Sequence, residues 1–147
     1  MNIVNGDVFK CKEDLIMHQV NCKGVMGGGI ALEIRKRFPQ VYNRYKEECN
    51  KYGNKCLGAF SCVPISCDKG IVNLYGQDDY GRNKCYTDYK AVRKALNRLS
   101  DFARKNNLSI AIPYGIGCSL AGGDWKHYSK IIEEELDGLN YTIYRKI

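Results

Sequence analysis

The sequence of 147 residues lacks several features that would assign it quickly to a class of protein. No stretch approaches the roughly 20 apolar residues that a membrane-spanning helix needs. The first ten residues, MNIVNGDVFK, show no basic segment followed by an apolar run, so no secretion signal is expected. There is no internal repeat, low-complexity segment or linker rich in proline or serine. We therefore expect one domain over residues 1–147 that is cytoplasmic, makes no contact with membranes and is monomeric.

Cysteine is plentiful, but no C-x-x-C pair occurs. The eight cysteines stand at positions 11, 22, 49, 56, 62, 67, 85 and 118. Structural zinc sites usually contain closely spaced cysteine pairs. Disulfide frameworks are typical of secreted chains that are too short to build a core. We expect free thiols, no metal site and no cofactor.

The charge is unbalanced, with a formal net charge of +7. A basic surface favours anionic partners such as nucleic acids, nucleotides and phosphate compounds, although it also serves solubility. The charges are spread along the chain, and the longest local cluster is RKRF at residues 35–38. Charge alone leaves an RNA-binding protein as one alternative.

The apolar pattern predicts an α/β fold. Short apolar runs predict strands at residues 3–4, 15–22, 59–65, 71–75, 108–113 and 141–144. Helical periodicity predicts helices at residues 30–38, 39–51, 87–106 and 124–136, the third of them capped by Thr87. Because strands alternate with helices, we expect a largely parallel sheet with helices on both faces.

Two glycine-rich segments each follow a predicted strand and precede a predicted helix. The first glycine loop (residues 23–29) lies within VNCKGVMGGGIA, and the second (residues 115–123) reads GIGCSLAGG. Backbone N–H groups at the start of a helix attract anions. Neither loop matches the G-K-[ST] or G-x-G-x-x-G pattern of the common nucleotide folds. Each loop alone is compatible with a plain turn, but two in one α/β domain favour a ligand site.

Three polar residues beside these loops each allow two interpretations. His18 lies in an apolar strand, where it is either a core residue or a catalytic group. Asn21 ends that strand, where it contacts a ligand or satisfies loop backbone. Asp124 precedes a helix, where an N-cap role and a functional role are compatible.

Four segments in order resemble the macrodomain family over nearly the whole chain, from residue 6 to about residue 136. They are NGDVF, HQVNCKGVMGGGIALEIRKRFP, NLYGQ and IPYGIGCSLAGGDW. The resemblance implies a three-layer α/β/α fold with a mixed, largely parallel sheet. It also implies that the chain binds ADP-ribose.

The resemblance also assigns binding roles to individual residues. Asp7 is expected to accept the adenine amino group, with the Val8 N–H on the ring, and Asn21 to contact the distal ribose. The residues expected to line that ribose and the diphosphate are Gly27, Gly28, Gly29 and Ile30. Those expected to wrap the phosphates through backbone N–H groups are Gly117, Cys118, Ser119, Leu120 and Ala121. The residues expected to flank the pocket are Tyr75 and Gln77.

The closest likeness is to the branch with yeast-type ADP-ribose-1''-phosphate phosphatases, glutamate-ADP-ribose hydrolases and toxin-reversing macrodomains. Hydrolases of this branch that use a lysine nucleophile carry it where this chain has Gly76-Gln77, and their loop aspartate falls on Ala121. The remaining pattern resembles the phosphatase type, with His18 and Asp124 as catalytic residues, so alanine at either position is expected to abolish turnover and keep binding. The expected function is a metal-independent ADP-ribose-1''-phosphate phosphatase. The alternatives are an ADP-ribosyl hydrolase acting on modified protein or nucleic acid, and a non-catalytic ADP-ribose reader.

Overall fold

The computed structural model describes all 147 residues, which form six strands and four α-helices. The strands are β1 Ile3–Asn5, β2 Leu15–Val20, β3 Phe60–Ser66, β4 Lys69–Tyr75, β5 Ile110–Pro113 and β6 Tyr141–Arg145. The helices are α1 Gly29–Arg37, α2 Pro39–Tyr52, α3 Tyr89–Asn106 and α4 Trp125–Glu135. Every strand and helix predicted from the sequence is present, with ends that differ by a few residues.

The six strands form one sheet in the order β1-β6-β5-β2-β4-β3. All neighbouring strands are parallel except β3 and β4, which form an antiparallel pair. This confirms the predicted mixed, largely parallel sheet. After β2 the chain forms β3 and β4 on one side of β2, and it then returns to form β5 on the other side of β2. The direction in which strands are added therefore reverses between β2 and β5.

Both faces of the sheet are covered, which gives three layers. One core of 17 buried residues packs α3 and α4 against the sheet, and a second of 14 packs α1 and α2 against the opposite face. Strand β2 contributes Leu15 and Met17 to the first core, and Ile16 and Val20 to the second. Alternate residues of β2 therefore point to opposite layers.

The start of α3 differs in one detail from the prediction. The N-cap is Asp88, whose carboxylate accepts a hydrogen bond from the Ala91 N–H at 3.1 Å. The predicted cap, Thr87, instead donates its hydroxyl hydrogen bond to Gly117 O at 2.6 Å. Thr87 thus ties the helix start to the second glycine loop. Asn107, in the left-handed conformation with φ of 53°, ends the helix.

The cysteines and the helices are the parts of the chain that bear on disulfides, metal clusters and membrane-spanning segments. All eight cysteines are free. No cluster of three or more His, Cys, Asp or Glu side chains is arranged to hold a metal ion. None of the helices combines the length and apolar character required to cross a membrane.

Candidate ligand-binding cleft

A cleft of about 490 Å³ opens between the carboxyl ends of β2 and β5. These strands pair through only two residues each, Leu15–Ile16 against Ile110–Ala111, and then separate. The chain leaves β2 toward α1 on one face and leaves β5 toward α4 on the other. A crevice at such a reversal of strand order is the usual ligand site of open α/β sheets.

Most of the residues predicted to bind ligand line this cleft. They are Asn21, Gly27, Gly28, Gly29, Ile30, Gln77, Gly117, Ser119, Leu120 and Ala121. They come from three segments: the stretch from Asn21 through the first glycine loop to the start of α1, the second glycine loop, and the β4–α3 loop (residues 76–88). The structure therefore brings both glycine loops to one site.

Both glycine loops present backbone N–H groups without a partner in the protein. The N–H groups of residues 27–31 donate to no acceptor, and the N-cap Gly28 provides no side-chain cap. In the second loop, the N–H groups of Gly117 and of residues 119–121 are likewise unpaired. Unpaired N–H groups at a helix start form an anion site. The cleft can hold a diphosphate between its two loops.

Asn21 satisfies the backbone of the first glycine loop, and its contact with a ligand stays a prediction. Its Oδ1 accepts hydrogen bonds from Lys23 N at 2.9 Å and Tyr45 OH at 2.7 Å, and its Nδ2 donates to Val25 O at 2.8 Å. These bonds fix the shape of the first glycine loop. One Nδ2 hydrogen remains, and it is the atom with which Asn21 can contact a ligand in the cleft.

Gln19, which sequence reasoning missed, organises the floor of the cleft. Its Nε2 lies 2.9 Å from both Gln77 Oε1 and Thr87 Oγ1. Its Oε1 accepts a hydrogen bond from Tyr128 OH at 2.8 Å. Burial holds the pKa of Tyr128 well above its ordinary value, so this hydroxyl stays a donor. The network joins β2, the β4–α3 loop and α4. The sequence signal that could have identified Gln19 was its position two residues before Asn21.

Replacing Gln19 with leucine is expected to lower the free energy of unfolding by about 1–3 kcal/mol, because the buried Tyr128 hydroxyl would lose its acceptor. Urea denaturation of the purified variant measures the change. Adding Tyr128→Phe removes the orphaned hydroxyl and should recover part of the loss. An unchanged urea midpoint in Gln19→Leu would show that the network contributes nothing to stability.

The structure contradicts the catalytic role predicted for His18. The side chain is fully buried on the α1/α2 face of β2, opposite the face that carries Gln19, and does not line the cleft. Its Nε2 lies 2.7 Å from Asn73 Oδ1, while Nδ1 has no partner. Burial lowers the pKa of His18 to about 4, so the ring is neutral at pH 7. A side chain in this position cannot touch a substrate in the cleft.

Asp124 also lies outside the cleft lining. It precedes α4 as the N-cap residue, but its exposed carboxylate makes no capping hydrogen bond. Its backbone N–H donates to Tyr89 OH at 2.7 Å. The predicted N-cap position is correct, whereas the predicted catalytic contact has no support in the geometry.

Two predicted binding residues are occupied elsewhere. Tyr75 is buried on the α2 side, where its hydroxyl donates to Glu48 Oε1 at 2.7 Å, so it does not flank the cleft. Cys118 does not line the cleft either, because its N–H donates to Gly115 O at 2.9 Å within the loop turn. Both assignments are wrong for the same reason: a protein partner already holds the group.

The predicted adenine contacts lie beyond the cleft lining, after the edge strand β1. Asp7 caps the short 3₁₀ turn Val8–Lys10, with its carboxylate accepting from Phe9 N at 2.9 Å. The Val8 N–H has no acceptor in the protein. The adenine roles of Asp7 and Val8 stay predictions.

The remaining lining residues were not singled out in the sequence. They are Gln19, Val20, Val25, Ala31, Tyr80, Gly81, Arg82, Pro113, Tyr114, Gly115 and Ile116. The full lining contains no carboxylate, histidine or cysteine, and Arg82 is its only charged residue. The lining therefore suits a negatively charged ligand, and its amides and hydroxyls can hydrogen-bond polar groups.

The family model of the Macro domain matches residues 17–132. The ADP-ribose 1''-phosphate phosphatase of Saccharomyces cerevisiae strain YJM789 is 25% identical, over 97% of this chain and 96% of that protein. The DNA ADP-ribosyl glycohydrolase of Mycobacterium tuberculosis is 28% identical over 83% of this chain, but the match spans only 34% of that protein. The solved macrodomain of Mycobacterium tuberculosis DarG is 25% identical with a TM-score of 0.82, covering 97% of this chain and 95% of that one. Because this family model covers well over half of the chain, the chain belongs to the macro domain family.

Proposed function

We propose that this chain binds ADP-ribose and hydrolyses ADP-ribose derivatives, with ADP-ribose 1''-phosphate as its substrate. The observation that carries the proposal is the pair of glycine loops that line one cleft of about 490 Å³ and contain unpaired N–H groups. A dinucleotide-sized ligand with a central diphosphate fits this arrangement of charge and volume.

The chemistry of the cleft suits removal of a terminal phosphate. In hydrolysis, a bond forms between water oxygen and phosphorus while the phosphorus–oxygen bond to the distal ribose breaks, and the ribose oxygen takes a proton. Phosphoryl transfer passes through a loose transition state that depends mainly on positioning and on stabilisation of negative charge. In this proposal the unpaired N–H groups and Arg82 supply that stabilisation, and the side-chain amides of Asn21 and Gln77 orient a water molecule.

The residues at two positions of the cleft favour a phosphatase over a glycosyl hydrolase. By the resemblance, Gln77 and Ala121 stand where lysine-dependent hydrolases carry their lysine and aspartate. Both of these residues line the cleft, where a substrate could reach them. Neither side chain can act as a nucleophile or a base.

A non-catalytic ADP-ribose reader is the second candidate. It is favoured by one observation, the absence of any carboxylate, histidine or cysteine from the cleft lining. A reader needs the same anion site but no turnover.

A substrate panel separates these functions. The purified chain is incubated with ADP-ribose 1''-phosphate, ADP-ribosylated protein, ADP-ribosylated DNA and O-acetyl-ADP-ribose. The proposal predicts phosphate release from the first substrate and no product from the others. Tight ADP-ribose binding without any product would identify a reader, and release of ADP-ribose from protein or DNA would identify a glycosyl hydrolase.

A further inference from the structure

We infer that Arg82 binds the terminal phosphate of the substrate and selects ADP-ribose 1''-phosphate over ADP-ribose. The inference rests on the proposed function, since it assumes that ADP-ribose occupies the cleft. It adds a specificity-determining side chain at a position that lies outside the four sequence segments.

Arg82 is unusual among the eight arginines because the protein gives it no partner. Six arginines are engaged: Arg37, Arg44 and Arg93 pair with glutamates, Arg104 donates to Asp137 O, and Arg35 and Arg145 lie over tyrosine rings. Only Arg82 and Arg98 make no ion pair, hydrogen bond or ring contact. Both side chains are exposed, but Arg82 lines the cleft whereas Arg98 lies on α3. An unpaired guanidinium in an otherwise uncharged cleft is a ready anion contact.

The strand order places Arg82 at the reacting end of the ligand. The predicted adenine residue Asp7 follows β1 at one edge of the sheet, and Asn21 follows β2 near the reversal. Arg82 belongs to the loop after β4, on the far side of β2 from β1. A ligand that runs from Asp7 to Asn21 therefore directs the substituent of its distal ribose toward Arg82.

The base of the β4–α3 loop is fixed while its tip faces the cleft. Gln77 bridges to Thr87, and the N–H groups of Tyr86 and Thr87 both donate to Ala121 O, at 2.7 and 3.3 Å. The tip at Gly81 lies over the Tyr86 ring, where a β-carbon would come within 2.7 Å of Tyr86 OH. The loop is thus tied to the second glycine loop, so the N–H groups and the guanidinium form one anion site.

The chemistry explains why Arg82 would discriminate between the two ligands. A phosphate monoester carries nearly two negative charges and accepts paired hydrogen bonds from a guanidinium. ADP-ribose itself presents only a neutral hydroxyl at that position. Arg82 therefore contributes binding to the phosphorylated ligand and little to ADP-ribose.

Arg82→Gln tests the inference, with Arg98→Gln as the matched control. Stopped-flow displacement of a fluorescent ADP-ribose, measured before turnover, gives the affinity of each protein for ADP-ribose and for ADP-ribose 1''-phosphate. Arg82→Gln should weaken ADP-ribose 1''-phosphate about tenfold or more, and change ADP-ribose by less than about twofold. Arg98→Gln should leave both affinities unchanged, and Arg82→Lys should restore part of the preference.

Four results would overturn the inference. They are unchanged affinities in Arg82→Gln, equal weakening of both ligands, an equal effect of Arg98→Gln, and a wild type that does not prefer the phosphorylated ligand. In each of these cases phosphate release from ADP-ribose 1''-phosphate by the wild type still supports the proposed function. Failure of the wild type to bind ADP-ribose at all would overturn the proposed function, and the inference with it.

Discussion

Gly28→Val is expected to weaken ADP-ribose binding about 100-fold or more while the chain stays folded. Gly28 is the N-cap of α1 and lines the cleft beside unpaired N–H groups. A branched side chain there would occupy the space where a diphosphate must approach the backbone. Loss of two charge-assisted hydrogen bonds, at about 1.5–3 kcal/mol each, accounts for a change of this size.

The fold should tolerate this substitution. Gly28 has φ of −157°, an extended conformation open to any residue. The only atoms near a new β-carbon belong to Leu120, with Cδ1 at 2.6 Å. Leu120 is 40% exposed, so its side chain can rotate away. Circular dichroism and a thermal melt should match the wild type closely.

Isothermal titration with ADP-ribose measures the loss, and Leu120→Ala distinguishes its cause. The single Leu120→Ala variant should bind ADP-ribose well, because it only widens the cleft. The double variant Gly28→Val/Leu120→Ala should still fail to bind. Recovery of binding in the double variant would contradict the account, since it would mean that displacement of Leu120, and not filling of the cleft, caused the loss.

Acid should destabilise the folded chain through His18. The folded pKa of His18 is lowered to about 4 by burial, below its ordinary value of 6.5. The unfolded chain therefore binds a proton more readily than the folded chain as the pH falls below 6.5. The stability contributed by the neutral ring is complete above pH 6.5 and is lost progressively between pH 6.5 and 4. The full loss amounts to about 3 kcal/mol in the free energy of unfolding.

Urea denaturation at a series of pH values, with His18→Gln as the reference, isolates this effect. Glutamine keeps an amide that can bond Asn73 but cannot take up a proton in this range. The difference between wild type and variant should change by about 3 kcal/mol from pH 7 to pH 4, in the direction of a weaker wild type at low pH. A parallel decline of the two proteins would contradict the buried, neutral state of His18.

The sequence carried enough information to predict the elements of the fold. Strand β2 reads as a buried run, and the periodicity of α3 is strong over 18 residues. The glycine loops were identified as ligand loops because a glycine-rich segment between a strand and a helix has a local physical meaning. Predictions from local patterns of this kind do not depend on contacts between distant residues.

The predictions that failed concern the face of the sheet to which a side chain points and the residues that it contacts. The run LIMHQV is buried on both faces, so its pattern does not show that His18 points to α1 and α2 while Gln19 points to α3, α4 and the cleft floor. The Arg82 loop reads as an ordinary polar connection, and it reaches the cleft only because β4 lies beside β2 in the sheet. Sheet order and side-chain partners depend on contacts between distant residues, which a single sequence does not display.

The most direct test of the central claim is an amide NMR titration of the ¹⁵N-labelled chain with ADP-ribose. The account predicts saturable shifts that are largest for residues 27–31, Gly117 and residues 119–121, whose N–H groups lack a partner in the protein. Val8 and Arg82 are expected to shift less, at the two ends of the ligand. Shifts absent from both glycine loops, or confined to the basic segment at residues 35–37 and abolished by moderate salt, would contradict it.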